Sequence, residues 1–132
     1  MDVDKWSNSQ QPRPYDIISC LNVLDRCDAP LSMLRQIHNR LTNGGILLLA
    51  LVLPYDPFVE RGFIKVTPSE YLPISSRSWE EGVAKLWTKV LQPMGFEPLA
   101  VARVPYLCEG DLHVDYYSLD DVILVLRKHE NT

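Results

Sequence analysis

The sequence has little of what the commonest cofactor and metal sites are built from. Its six glycines, at positions 44, 45, 62, 82, 95 and 110, form no Gly-x-Gly-x-x-Gly turn after a strand. That turn holds the phosphates of a nucleotide cofactor, so this part of a nucleotide-binding half is missing. The three cysteines form neither a Cys-x-x-Cys pair nor a Cys/His cluster of metal spacing, which argues against a disulfide framework and a zinc site. We expect Cys20, Cys27 and Cys108 to be reduced and mostly buried.

The chain also has no excess of positive charge and no long apolar run. The 13 Lys and Arg are scattered among 17 Asp and Glu, giving a net charge of -4, which argues against a nucleic-acid partner. The longest apolar run has eight residues, 46–53, whereas a membrane-spanning helix needs about 20. The first residues lack a basic start followed by an apolar stretch, so no secretory signal is predicted. We therefore predict an intracellular protein, cytoplasmic or organellar, without a membrane span.

What remains is an ordinary globular composition with the pattern of one α/β domain. Residues 15–20 predict a first strand and residues 46–53 a second, buried strand. Between them, apolar residues recur at helical spacing over 31–41, with Asp28 as the N-terminal cap. Residues 43–45 (Asn-Gly-Gly) are expected to end that helix. Strand, helix and strand together form a βαβ unit.

The second half of the chain predicts one more helix and two more strands. Residues 54–77 contain four prolines and are expected to be irregular. A helix is predicted over 78–91, and further strands over 96–104 and 116–126. The signals for the ends of the helix are Ser76 or Ser78 before it and Pro93 and Gly95 after it. We expect residues 1–14 to form a polar linker, 15–128 the domain and 129–132 a tail.

Polar and aromatic residues follow the predicted strands, where parallel α/β sheets bind ligands. They are Asn22 and Asp25 after the first strand, Tyr55 and Phe58 after the second, Tyr106, Glu109 and Asp111 after the third, and Asp115, Tyr116 and Tyr117 if the last strand runs antiparallel. From spacing alone, Asn22 and Asp25 are more simply explained as helix caps. Asp28 is the better-placed cap, however, which leaves Asp25 without a structural role.

Other residues in the sequence have plain structural explanations. Tyr106 and Tyr117, taken singly, are more simply core residues with solvated hydroxyls. His38 lies on the apolar face of a predicted helix and is expected to be a packing residue. His113 has no nearby nucleophile with an orienting acid, so a hydrolytic triad is not predicted.

Three stretches carry a resemblance to a known family. "YDIISCLNVLDRCDAP", "ALVLPYDPFVE" and "RVPYLCEGDLHVDYYSLDDVILVL" resemble the DREV family, the methyltransferase-like protein 9 family, over residues 6–128. Members of that family methylate histidine in other proteins at the pros nitrogen. The resemblance implies the C-terminal half of a class I, Rossmann-like, seven-stranded S-adenosylmethionine-dependent methyltransferase: strands four to seven with a final antiparallel hairpin. It also implies a truncated domain that lacks the glycine-rich part of the cofactor site, poorly active by itself.

The same resemblance implies roles for particular residues. Asn22 and Asp25 are the expected catalytic residues, with Asp25 accepting one ring N–H of the target imidazole and Asn22 fixing the orientation of the ring. The expected substrate-binding residues are Tyr106, Tyr117, Tyr55, Glu109 and Asp111. What is left of the S-adenosyl-L-methionine site is expected at Leu21 and Asn22.

The implied partner is a histidine-containing protein or peptide, and the exposed flank of the first strand is a further candidate for association. Glu109 and Asp111 attract a basic peptide in this interpretation, although a solvated turn explains them equally well. Two alternatives stay open: a catalytically inactive module that binds histidine peptides or pairs with another chain, and a methyltransferase of the same fold acting on small molecules.

Overall fold

The structure is a computed structural model that describes residues 13–109 and 116–129. The elements in chain order are β1 (Tyr15–Leu21), α1 (Pro30–Arg40), β2 (Leu41–Leu53), β3 (Val59–Arg61), β4 (Ile64–Val66), α2 (Trp79–Lys85), a π-helical segment (Leu86–Leu91), α3 (Gln92–Met94), β5 (Phe96–Glu109) and β6 (Tyr116–Lys128). In the described part of the chain, no helix has both the length and the apolar character that crossing a membrane requires.

The main sheet has four strands in the order β1-β2-β6-β5. β2 pairs in parallel with β1 and antiparallel with β6, so Leu49 lies opposite Cys20 on one side and Leu124 on the other. β6 also pairs antiparallel with β5. The predicted βαβ unit and the final antiparallel hairpin are therefore confirmed, and the α/β fold class with them.

The helices cover one face of this sheet. Leu34 and Ile37 of α1 and Leu86 and Leu91 of the π-helical segment are buried in the same cluster as Leu49. The alternate residues of the strands point to the opposite face, against which none of the described helices packs. On that face Ile17 is 68% exposed and Leu21 is 51% exposed, so β1 presents apolar side chains to solvent at the edge of the sheet.

The start of β2 differs from the prediction. α1 ends at Arg40 and β2 begins at the next residue, so residues 43–45 lie in the strand and the predicted glycine helix stop is wrong. Tyr15 pairs with Leu41 but Ile17 pairs with Ile46, so β2 carries extra residues at this point. The positive φ of Gly44, 78°, serves this strand irregularity, because glycine adopts that conformation without steric cost.

The long helical stretch after residue 78 has the predicted ends. The Ser78 hydroxyl accepts a hydrogen bond of 3.1 Å from the Glu81 N–H, and Gly95 closes α3 with a φ of 102°. Pro93 lies inside the last turn instead of ending the helix. The segment just before it is π-helical, which suits a proline that has no N–H and whose ring crowds the preceding turn.

The N-terminus of α1 is capped differently from the prediction. The Asp28 carboxylate accepts hydrogen bonds from the Ser69 N–H (2.9 Å) and hydroxyl (2.7 Å), and it does not cap the helix. Glu70 instead accepts from the N–H (2.9 Å) and hydroxyl (2.7 Å) of Ser32, in the first turn of α1. The cap therefore comes from a residue 38 positions away, which local spacing could not indicate.

Two further outcomes concern the loop after β2 and the packing of His38. Residues 54–77, predicted to be irregular, contain the short β3–β4 hairpin. In it Val59 pairs with Val66, and Gly62 turns the chain with a φ of 66°. His38 is 8% exposed, and the centre of its ring lies 5.0 Å from that of Phe96 with the two ring planes nearly perpendicular, which confirms that it is a packing residue.

Candidate functional site

The candidate site begins where β1 ends, at Asn22. The Asn22 N–H donates to the carbonyl of Ala50 at 2.9 Å, which extends the parallel β1–β2 pairing by one residue. Its φ of 57° then turns the chain away from the sheet. Asparagine is one of the few residues besides glycine that adopts this left-handed conformation readily. An asparagine at the end of β1 therefore favours this turn.

The Asn22 side chain is held by a residue from the far end of the chain. Its Nδ2 donates to Oδ2 of Asp121, in β6, at 3.0 Å. Its Oδ1 is buried and accepts no hydrogen bond from any residue that the structure describes. A buried oxygen without a donor costs free energy, so its presence is an indication of a ligand.

Asp25 is the second predicted catalytic residue, and it is 6% exposed. Its Oδ2 lies 3.4 Å from Nη1 of Arg26, while its Oδ1 is buried with no partner in the described chain. Burial raises the pKa of the Asp25 carboxyl; the Arg26 guanidinium opposes this shift, and the nearby Asp121 and Asp56 carboxylates add to it. Asp25 is thus a carboxylate whose charge is poorly compensated by the protein itself.

Asp121 completes the cluster, and the sequence analysis did not identify it. It is 4% exposed, pairs with Val52 of β2, and has a second oxygen, Oδ1, for which the described residues provide no donor. Burial raises the pKa of Asp121, and the hydrogen bond from Asn22 partly offsets that rise. One sequence signal could have found it: an acid placed directly before the apolar run of a central strand.

A cavity of about 290 Å³ opens beside these residues at the edge of the sheet. It is lined by Asn22, Asp25, Arg26, Val52, Leu53, Pro54, Asp56 and Leu119. Arg26 supports one wall, because its Nη1 donates to the carbonyls of Asp25 (2.8 Å) and Asp56 (2.9 Å). Its guanidinium also lies 3.6 Å from the centre of the Phe58 ring, a cation–π contact that fixes the loop after β2.

The other predicted site residues stand further from the cavity or outside the described side chains. The Tyr55 hydroxyl accepts from the Leu72 N–H at 3.4 Å, and Tyr55 does not line the cavity. The backbone of Tyr106 pairs with Leu119, and that of Tyr117 with Cys108. Glu109 pairs with Tyr116 through the backbone, while Asp111 and Asp115 lie outside the described residues. The roles given to all of these residues stay predictions.

The arrangement selects ligands by charge and by hydrogen-bond character. Asn22 Oδ1, Asp25 Oδ1 and Asp121 Oδ1 are three buried acceptors that lack donors within the described residues. Such a cluster favours a group that donates hydrogen bonds or carries positive charge, and it disfavours phosphate. No group of three or more His, Cys, Asp or Glu in the described chain is placed to hold a metal ion.

The thiols near this site are not poised for chemistry. Burial raises the pKa of Cys20 to about 12 and that of Cys27 to about 11, and both are free. Thiolates are the nucleophilic form of cysteine, so neither residue is activated. Cys20 is buried and Cys27 partly so, while the Cys108 side chain lies outside those described; that the thiols are reduced stays a prediction.

Solved structures of low sequence identity share this fold. The carbon methyltransferase CurJ matches with a TM-score of 0.53 at 22% identity, covering 98% of this chain and 34% of its own. TehB from Haemophilus influenzae matches at 0.52 and 14% identity, with 97% and 39% covered. The [4+2]-cyclase SpnF matches at 0.51 and 18% identity, with 92% and 54% covered. This chain therefore spans between about a third and about a half of the length of these three proteins.

The class of protein follows from the topology together with these matches. A parallel β1–β2 pair followed by an antiparallel hairpin, with a cavity at the end of β1, is the C-terminal portion of a class I methyltransferase fold. Because a cyclase has the same fold, the fold alone does not fix the reaction. The family is more specific: the model of the DREV methyltransferase family matches residues 2–128, and the chain belongs to that family.

Proposed function

We propose that this chain provides the substrate side of an S-adenosylmethionine-dependent methyltransferase that modifies histidine side chains in proteins at the pros nitrogen. The observation that carries the proposal is a pair of buried acceptors at one cavity, Asn22 Oδ1 and Asp25 Oδ1, neither of which accepts a hydrogen bond from the described chain. A neutral imidazole has one N–H, which one of these acceptors can bind, and one lone pair that is left to react; the second acceptor suits the positively polarised edge of the ring.

Asp25 has the central part in the chemistry. Its carboxylate accepts the N–H of one ring nitrogen, which selects the tautomer in which the other nitrogen keeps its lone pair. That lone pair would form a bond to the methyl carbon of the donor while the carbon–sulfur bond breaks and leaves its electron pair on the sulfur as a neutral thioether. The ring would become a methylimidazolium, and its N–H proton would then leave to solvent. Since the ring gains positive charge as the bond forms, a poorly compensated carboxylate at 6% exposure stabilises the transition state more than the ground state.

Asn22 and the aromatic residues orient and enclose the ring. Asn22 Oδ1 faces the positively polarised edge of the imidazole, and Tyr106 and Tyr117 pack against the ring and exclude water. Tyr55 supports the loop after β2 through its hydrogen bond with Leu72. Glu109 and Asp111 attract basic residues on either side of the target histidine.

S-adenosyl-L-methionine, when bound, supplies a methyl group on a positively charged sulfur. The acceptor-rich end of β1 fits that charge, and Leu21 and Asn22 would hold one side of the cofactor. The sequence has no Gly-x-Gly-x-x-Gly turn to complete the site, so we expect the 132-residue chain to turn over slowly by itself.

The test of this function is methyl transfer to peptides with spaced histidines. The chain, at high concentration, is incubated with S-adenosylmethionine carrying a labelled methyl group, and the products are analysed by mass spectrometry. Peptides carrying pros-methylhistidine or glutamine in place of histidine are the matched controls. We expect label on histidine peptides only; equal label on the pros-blocked peptide, or label on small molecules alone, would contradict the proposal.

One observation favours a second candidate, a non-enzymatic module that pairs with another chain or holds histidine peptides. Ile17 and Leu21, 68% and 51% exposed, form an apolar strip at the edge of the sheet that suits association. Calorimetric titrations separate the two candidates. Micromolar binding of S-adenosylmethionine supports the enzyme, whereas binding of histidine peptides without any binding of the cofactor supports the module.

A further inference from the structure

We propose that Asp121 is a positioning residue: its carboxylate fixes the orientation of the Asn22 amide, so that Asn22 Oδ1 is always presented to the substrate ring. This inference rests on the proposed function and adds a third residue to the predicted pair. It starts from the 3.0 Å hydrogen bond from Asn22 Nδ2 to Asp121 Oδ2.

The chemistry of the carboxylate explains why this residue type is suitable. An amide has a donor end and an acceptor end of nearly equal shape, and a flipped Asn22 would turn its Nδ2 toward the cavity. An ionised carboxylate accepts hydrogen bonds and donates none, so it pairs only with the Nδ2 end. A neighbour that both donates and accepts, such as an amide or a hydroxyl, would allow either orientation.

The position of Asp121 shows how unusual this carboxylate is. It lies on β6 between Val52 of β2 and Val104 of β5, and it is 4% exposed. Burial of a carboxylate is costly unless its charge is paired and its oxygens are hydrogen-bonded, and here the Asn22 amide donates to one oxygen only. Its neighbour Asp120 faces the other way and forms an ion pair with Arg103 at 2.8 Å, with 44% of its side chain exposed.

The orientation of the Asn22 side-chain amide matters because the backbone of this residue is already fixed. The N–H bond to Ala50 and the left-handed φ of 57° hold its Cα in place, so rotation of the side-chain amide is the main freedom left. The carboxylate removes that freedom before the substrate arrives, and so the ring meets a preorganised acceptor.

The experiment compares Asp121→Leu, Asp121→Asn and the matched control Asp120→Asn. Steady-state transfer to a histidine peptide is measured for each variant. Asp121→Leu is expected to lower kcat by at least about 30-fold with KM changed less than about threefold, because orientation counts most in the transition state. Asp121→Asn is expected to lose about three- to tenfold, and Asp120→Asn less than twofold.

A second measurement is independent of turnover. The side-chain amide resonances of Asn22, identified by their loss in Asn22→Ala, are followed by NMR in the full chain. We expect them to shift in Asp121→Asn and to stay in place in Asp120→Asn. If wild type transfers no methyl to histidine, the proposed function fails, and the NMR result still decides whether Asp121 orients Asn22.

Three outcomes would overturn the inference. Wild-type turnover in a folded Asp121→Leu variant would do so, and so would an equal loss in Asp120→Asn. If Asp121→Leu does not fold, Asp121→Asn carries the test, and unchanged Asn22 resonances in that variant would be decisive against the inference.

Discussion

The chain contains two pairs of neighbouring carboxylates, and the two pairs differ in their burial and in their hydrogen bonds. Asp28 and Glu70 are partly exposed, and both oxygens of each accept hydrogen bonds, from Ser69 and Ser32 respectively. These hydrogen bonds lower the pKa of both groups. Asp25 and Asp121 are buried, each has one oxygen without a partner in the described chain, and burial raises the pKa of both.

The difference separates carboxylates that hold the fold together from carboxylates that await a ligand. Asp28 and Glu70 fasten the segment after β4 to the start of α1, so their hydrogen-bonding capacity is used within the protein. Asp25 and Asp121 keep unused acceptor capacity at the end of the sheet, at a cost in stability. Sites that bind or react commonly carry such a cost.

The largest effect is expected from Asp25→Asn. The amide can donate to the ring nitrogen that should carry the proton, so the tautomer with its proton on the reacting nitrogen becomes favourable, and the developing charge is no longer stabilised. We expect kcat for histidine-peptide methylation to fall at least about 100-fold. The matched control is Asp28→Asn, which removes a carboxylate three residues away and should change kcat less than about twofold. Normal turnover in Asp25→Asn would remove Asp25 from the mechanism.

A smaller loss is expected from Tyr117→Phe. If the ring of Tyr117 only packs against the imidazole, removal of its hydroxyl should lower kcat/KM by no more than about tenfold. The same peptide assay is used, with Tyr71→Phe, at an exposed position, as the control. A loss as large as that of Asp25→Asn would mean that the hydroxyl itself bonds the substrate.

The same Asp25→Asn change should make the protein more stable at neutral pH. Below the unfolded-state pKa, 3.8, the carboxyl is neutral in both states and the variant should match wild type. As the pH rises from 3.8 to the elevated pKa of the folded state, the unfolded chain loses this proton before the folded protein does, so wild type loses stability relative to the variant. Above the folded-state pKa the difference stays constant. Urea denaturation at pH 3 and pH 8 measures the difference in the free energy of unfolding between variant and wild type. If Asp25→Asn is less stable than wild type at pH 8, then the buried Asp25 carboxylate does not lower the stability of the protein, and the contrast with Asp28 and Glu70 would be wrong.

Sequence reasoning identified the parts of the fold that local pattern controls. The apolar run of β2, the cap at Ser78 and the stop at Gly95 each follow from residues within a few positions of each other. It misplaced the cap of α1, because Glu70 reaches that helix through tertiary folding. The role of residues 43–45 was also misjudged, because a glycine with positive φ serves a strand irregularity as well as a helix end.

Part of the candidate site could likewise be predicted from local sequence signals, and part could not. Asn22 and Asp25 are close in sequence and follow a strand, which is a local signal. Asp28 was expected to cap α1 and so to leave Asp25 without a structural role. Asp28 binds Ser69 instead, and the N-cap of α1 has no side-chain hydrogen bond from Asp25 either, so the catalytic role of Asp25 stays a prediction. Asp121 comes from 99 positions beyond Asn22, and only the β2–β6 pairing brings the two together.

The smallest effect in the comparison is expected from Glu70→Gln. The carboxylate interacts with the positive end of α1 and accepts from Ser32, and glutamine keeps one acceptor but loses the charge. Allowing for solvent screening of this surface group, the free energy of unfolding at pH 7 should fall by about 0.5 kcal/mol.

Because the pKa of Glu70 is lowered in the folded state, this stability is present above the ordinary pKa of 4.5 and is lost as the pH falls through the folded value. Urea denaturation at pH 7 and pH 3 should therefore show a gap that closes on acidification, whereas Glu60→Gln, on the exposed β3–β4 hairpin, should show none at either pH. A Glu70→Gln variant that is more stable than wild type at pH 7 would place Glu70 with Asp25 and Asp121, and the division between structural and ligand-binding carboxylates would then fail.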